Sequence, residues 1–161
     1  IAEDVDALLR EAGIAHPFVA LLPGSSARHP HKRWPHFAEC SHQLQAQGLR
    51  VVTIPGIDEA DLGPGFAGIV LKTEGRVLNL HELAGVLKAA AIVVGNDSGP
   101  THLAACLGTR CVAIFETDSP ARISTGIDTR NAICLTAQPL YALPTEEIVS
   151  AVLRQRTLGV A

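Results

Sequence analysis

The residues of this chain that can do chemistry gather in short stretches that interrupt its apolar runs. The richest is Gly95-Asn96-Asp97-Ser98-Gly99-Pro100-Thr101-His102, which follows Ala91-Ile92-Val93-Val94 and leads into Leu103-Ala104-Ala105-Cys106-Leu107. A helix that starts on small residues offers backbone N–H groups to an anion, an interaction worth about 1–2 kcal/mol in a partly buried setting. Ser98 and Gly99 place such groups at the turn, and Pro100, read as the first helical residue, sacrifices no useful donor. Thr101 and His102 add a hydroxyl and an imidazole in the same turn. Asp97 runs against this pattern, because a carboxylate repels a phosphate set beside it. Two readings stay open for it: a helix cap, or a partner for uncharged hydroxyls next to the phosphate.

Three further stretches carry polar groups of the same kind. Pro23-Gly24-Ser25-Ser26 is followed by Lys32-Arg33-Trp34-Pro35. Small residues allow close backbone approach, the hydroxyls can bond phosphate oxygens, and Lys32 supplies charge. An ordinary solvated loop would use the same residues. Gly56-Ile57-Asp58-Glu59 puts carboxylates where two ribose hydroxyls could be held, although Asp58, Glu59 and Asp61 would equally suit a solvated turn. Phe115-Glu116-Thr117-Asp118-Ser119-Pro120, taken alone, reads as a loop. His29, His31 and His36 lack acidic or thiolate companions at ligand spacing, so they are expected at the surface, with no metal and no cofactor.

The elements that must position these stretches follow from hydrophobic pattern and punctuation. Val5, Leu8, Leu9 and Ala12 lie at helical spacing, and Gly13 stops that helix. Phe18–Leu22, Leu49–Ile54, Gly68–Leu71, Ala91–Val94, Cys111–Phe115 and Ala132–Leu135 read as six strands, apolar throughout rather than alternating. Between them the pattern predicts helices from Pro35 to about Gln47, from the capping-box-like Asn79-Leu80-His81-Glu82 to about Ala90, and over Pro100–Leu107. Thr145 starts a last helix with Glu146 and Glu147 in its first turn. Strands that alternate with helices and are apolar on both faces predict a parallel sheet of about six strands covered on both sides, an α/β Rossmann-like fold. Ligands of such sheets sit beyond the C-terminal strand ends, where all four polar stretches fall. No G-x-G-x-x-G follows the first strand, which removes the main support for a dinucleotide dehydrogenase.

Bulk properties narrow the function further. The 161 residues suit one domain, 47% are hydrophobic and 18% charged, and the formal net charge is -3. With no long basic run, nucleic acid is not an expected partner. No apolar stretch reaches membrane-spanning length. Cys40, Cys106, Cys111 and Cys134 stand singly, so they are expected reduced and buried, as in a cytoplasmic protein. The chain has no Met and begins at Ile1; residues 1–161 are therefore expected to be a single domain of a longer protein.

Taken together, Leu22-Pro23-Gly24-Ser25, Lys32-Arg33-Trp34-Pro35, Gly56-x-x-Glu59, Leu80-His81-Glu82-Leu83-Ala84 and Val94–Ala105 resemble the C-terminal half of glycosyltransferase family 9, the ADP-heptose:lipopolysaccharide heptosyltransferases. The resemblance spans about residues 17 to 155, and the D-S-G-x-x-H-L-A-A block is its most specific part. It implies one half of a glycosyltransferase-B fold that holds the nucleotide-sugar donor, with acceptor and catalytic base held by an N-terminal domain that has no counterpart here. The implied reaction is metal-independent and inverting, from ADP-heptose or a similar nucleotide sugar to lipopolysaccharide core. It implies a cytoplasmic enzyme, with peripheral inner-membrane association of the full-length protein. By family pattern Ser25, Ser26 and Lys32 contact the diphosphate, and Glu59 takes the ribose. Ser98, Gly99 and Thr101 cradle phosphate with His102 beside them, and Asp97 binds sugar hydroxyls. This chain departs from the pattern at Glu116-Thr117-Asp118, where the family usually has Gly and G-P-T. Two carboxylates there would oppose a diphosphate unless they turn outward. The isolated chain is expected to bind donor weakly and to transfer nothing. Two alternatives accompany this reading: half of a nucleotide-sugar epimerase or another sugar transferase, and a non-catalytic module that has lost donor binding.

Overall fold

A computed structural model describes residues 2–24, 32–57, 65–124, 126–127 and 131–158. Its centre is a six-stranded sheet of β1 (Val19–Leu22), β2 (Val51–Thr53), β3 (Ile69–Val70), β4 (Ile92–Asn96), β5 (Arg110–Glu116) and β6 (Ala132–Ala137). All pairings are parallel and the order is β3-β2-β1-β4-β5-β6. This is the doubly wound arrangement, with its switch point between β1 and β4, where the chain turns from building one side to building the other.

The unbroken apolar strands have a simple cause. Alternate side chains point to opposite faces, and both faces are covered. In β5, Cys111, Ala113 and Phe115 join a core with Val5 and Leu9 of α1 (Ala2–Glu11), Val86 and Leu87 of α3 (Leu80–Ala89), and Ala104 and Ala105 of α4 (Gly99–Cys106). Val112 and Ile114 face the other way, toward Phe37, Cys40 and Leu44 of α2 (Phe37–Ala46) and Ile148 and Val152 of α6 (Thr145–Leu158).

The expected elements are present with shifted ends. β4 runs two residues past Val94, through Gly95 and Asn96, and α2 begins at Phe37 because His36, not Pro35, leads into it. Gly99 is the first residue of α4 and Pro100 the second. Gly108 stops α4 at φ 86°, a backbone region that costs a glycine little. Two elements have no strong signal in the sequence: α5 (Pro120–Ser124) and a 3₁₀ turn at Leu140–Ala142. The cysteines need correction. Cys40 and Cys111 are buried, and burial pushes both thiols up to about 12, but Cys134 is half-buried and Cys106 is exposed at the end of short α4. No helix among the described residues is long and apolar enough to cross a membrane.

Candidate functional site

The C-terminal ends of β1, β2 and β4 open into a cavity of about 590 Å³. Its walls differ in character. Ile54, Ile57, Val77, Leu78, Leu80 and Leu83 make one end apolar, whereas Lys32, Asp97, Ser98, Gly99 and His102 make the other polar. Ile57 and Leu80 are 83% and 70% exposed, an unusual state for large aliphatic side chains unless something covers them.

Geometry at the polar end begins with a residue the sequence reading left without a role. Asn96, fully buried, accepts from the Trp34 N–H at 2.9 Å and donates to the Pro23 and Gly24 carbonyls at 3.0 and 3.3 Å. A carboxamide is suited to this because it accepts and donates at once. It thereby ties the end of β1 and the Lys32–Trp34 segment to the end of β4. Trp34 anchors its own segment through an Nε1–H bond to the Leu143 carbonyl at 2.9 Å and edge-on packing against Phe37. The K-R-W-P stretch therefore has a buried anchor and, two residues earlier, a partly exposed Lys.

That Lys32 lies 3.5 Å from Asp97 Oδ2, while Ser119 donates to the same oxygen at 3.1 Å. His102 Nε2 meets Asp97 Oδ1 at 3.1 Å, and its ring packs edge-on to Phe115. Asp97 is thus the hub of a three-partner network, with its side chain 8% exposed. The capping alternative for Asp97 is set aside, since Ser98 occupies the N-cap position. Charge repulsion from Asp97 is offset by the ammonium of Lys32.

The Ser98 side chain makes no cap bond to α4. Its hydroxyl instead pairs with the Thr101 hydroxyl at 3.2 Å. Among the described residues, the N-terminal N–H groups of α4 are thus left without a side-chain acceptor at a site that Ser98, Gly99 and Pro100 line. Two glycines there differ in what they permit. A β-carbon at Gly95 would run into the Thr101 side chain, so Gly95 is needed for close packing of helix on strand. At Gly99 a β-carbon would meet nothing, so the protein's own packing does not demand glycine.

Of the residues singled out in the sequence, Lys32, Asp97, Ser98, Gly99 and His102 are brought together in one cavity. Thr101 is not among its lining residues. Its side chain is fully buried and packs against Gly95. Ser25, Ser26 and Glu59 lie outside the described residues, although Gly24, Gly56 and Ile57 beside them line the cavity. Glu116 and Asp118 are not among the residues that line it; Glu116 is half-buried and Asp118 exposed. His36 is half-buried, its Nε2 2.9 Å from the Tyr141 carbonyl and its ring edge-on to Trp34, while His29 and His31 lie outside the described residues.

Comparisons with known proteins converge on one group. The profile of glycosyltransferase family 9 (heptosyltransferase) matches residues 2–152. Lipopolysaccharide heptosyltransferase 2 of Escherichia coli K12 is 31% identical over 114 residues, covering 65% of this chain and 32% of that protein. The chain therefore spans about a third of the length of that relative. Among solved structures, E. coli ADP-heptose lps heptosyltransferase II superimposes with a TM-score of 0.78 at 21% identity, over 99% of this chain and 53% of the other. E. coli heptosyltransferase WaaC with ADP-2-deoxy-2-fluoro heptose gives 0.68 at 22% identity, over 93% and 47%.

Proposed function

This chain belongs to glycosyltransferase family 9, and on that premise we propose that residues 1–161 are the donor-binding domain of an enzyme that transfers heptose, or a related sugar, from an ADP-sugar to lipopolysaccharide core. The observation that carries the reading is the uncapped N-terminus of α4, flanked by Lys32 and His102 at the polar end of the cavity. The diphosphate lies there, against backbone N–H groups and the ammonium of Lys32. The base occupies the apolar end, between Ile54–Ile57 and Val77–Leu83.

Charge builds on the departing diphosphate as an acceptor hydroxyl attacks the anomeric carbon from the opposite face, inverting it. Lys32 and the helix N-terminus are placed to stabilise that charge, so no metal is required of this half. Lys32 at 3.5 Å from Asp97 is an ion pair rather than a tight hydrogen bond, which leaves it able to swing onto the phosphate. Asp97 then retains His102 and Ser119 and offers its remaining lone pairs to sugar hydroxyls. Thr101 supports this turn from below. Ser25 and Ser26 extend the diphosphate contacts and Glu59 takes the ribose. The catalytic base and the acceptor site belong to an N-terminal domain of the longer enzyme. That enzyme acts in the cytoplasm, with peripheral contact to the inner membrane.

Titration calorimetry with ADP, ADP-heptose and a UDP-sugar tests the reading. Binding of the adenine nucleotides that Lys32→Ala removes is the expected result. A preference for the uridine sugar, or heat from none of the three, would overturn it.

A further inference from the structure

At the opposite edge of the sheet the N-terminal ends of β1, β2, β4 and β5 border a second cavity, of about 520 Å³. Its floor is apolar, with Phe18 and Ile92, and three arginines line it: Arg50, Arg110 and Arg156. No carboxylate is among its described lining residues. Arg50 directly precedes β2 and Arg110 opens β5, so two strands separate them and their backbones lie about 14 Å apart at the usual strand spacing. Arg156 enters from the last turn of α6.

Elsewhere in this acidic chain, Lys32 of the first cavity pairs with Asp97, and Arg76 pairs with Glu82. Here one N–H of Arg50 reaches the His16 carbonyl at 3.2 Å, and the α6 C-terminus favours a cation at Arg156. Neither contact neutralises a full charge. Among the described residues Arg110 and Arg156 make no ion pair. Guanidinium groups around an apolar floor match a phosphate attached to an apolar or ring-bearing body, since the planar fork bonds phosphate oxygens in pairs.

We infer that this cavity is a second anion site, which binds a phosphate group through Arg110 and Arg156, with Arg50 at its far wall. The site is independent of the donor cavity and does not rest on the function proposed above. The phosphate belongs either to a soluble ligand or to a phospholipid headgroup.

A ¹⁵N-labelled sample of the chain titrated with inorganic pyrophosphate tests this inference. The reporters are the backbone amides of Gly48 and Ile92 and the buried side-chain amide of Gln155, which is held by the Cys111 and Asn131 carbonyls. These resonances should shift and saturate. R110Q/R156Q should weaken that response about tenfold or more, whereas R10Q/R154Q, which removes two exposed charges elsewhere, should leave it unchanged. Sedimentation with phosphatidylglycerol or phosphatidylcholine vesicles separates the two sources. Pelleting with the anionic vesicles alone, lost in R110Q/R156Q, assigns a lipid headgroup; a saturating pyrophosphate response without pelleting assigns a soluble phosphate. Reporters unmoved by pyrophosphate and no pelleting would overturn the inference. So would an equal loss of both responses in the two double variants.

Discussion

Two helices begin at the rim of the same cavity and are finished in opposite ways. At α3, Asn79 accepts from the Glu82 N–H at 2.9 Å and Glu82 accepts from the Asn79 N–H at 2.8 Å, a complete capping box. Arg76 then closes onto Glu82 at 2.9 Å. At α4 no side chain among the described residues caps the first turn, and Gly99 stands where the fold does not need a glycine. A helix start that can be satisfied internally usually is, because an orphan N–H is costly once water is displaced. The difference teaches which of the two is reserved: α3 is closed by its own residues, and α4 is left for a ligand.

The largest effect should come from breaking the brace that holds the open end in place. Asn96→Ala strands the Trp34 N–H and the Pro23 carbonyl in a buried setting, which should cost about 2–5 kcal/mol of stability in urea unfolding. ADP affinity should fall with it. An unfolding midpoint equal to the wild type would show that the brace holds nothing. Lys32→Ala comes next and separates binding from folding. It removes a charge-assisted contact worth about 1.5–3 kcal/mol, so ADP affinity should drop roughly 10- to 100-fold. Stability should move by less than about 1 kcal/mol, as expected for a partly exposed pair.

The two helix starts can then be set against each other directly. Gly99→Ala puts a methyl into open cavity space, so ADP binding should weaken about tenfold. Stability should hold, or rise by about 0.5–1 kcal/mol from reduced freedom of the unfolded chain. Asn79→Ala should do the reverse, costing about 1 kcal/mol at the cap with ADP affinity within about twofold of wild type. If Gly99→Ala destabilised the fold while Asn79→Ala abolished binding, the roles assigned to the two ends would be exchanged.

Much of this contrast was legible in the sequence, and the reason is locality. The capping box is written in four consecutive residues, and the six strands announce themselves as apolar runs because the sheet is covered on both faces. The polar stretches fall at strand ends, so the edge that carries the cavity was readable from strand order alone. Asn96 was not, because its partners lie 62 to 73 residues away and its strand was expected to end at Val94. The burial of Thr101 was equally hidden. It depends on how closely α4 packs on Gly95, and the sequence records only that both residues are small enough. The short α5 was hidden as well, because its five residues carry too little periodicity to be seen.

The smallest effect lies at the closed end, at the Glu82 carboxyl. The Arg76 side chain, and after it the Asn79 backbone N–H, hold the Glu82 carboxyl below the ordinary carboxylate range. A carboxyl whose pKa is lower folded than unfolded adds stability above its unfolded pKa, and loses it as pH falls through the folded value. The α3 start should therefore loosen below the usual glutamate range, near 4.5, and stay unchanged between pH 6 and 8. Glu82→Gln isolates the charge, since glutamine still completes a capping box. Amide exchange at Glu82, followed from pH 6 to 3 and corrected for intrinsic rates, should show the α3 start opening in the wild type and not in Glu82→Gln. Persistence of the acid response in Glu82→Gln would mean that the ion pair does not close α3.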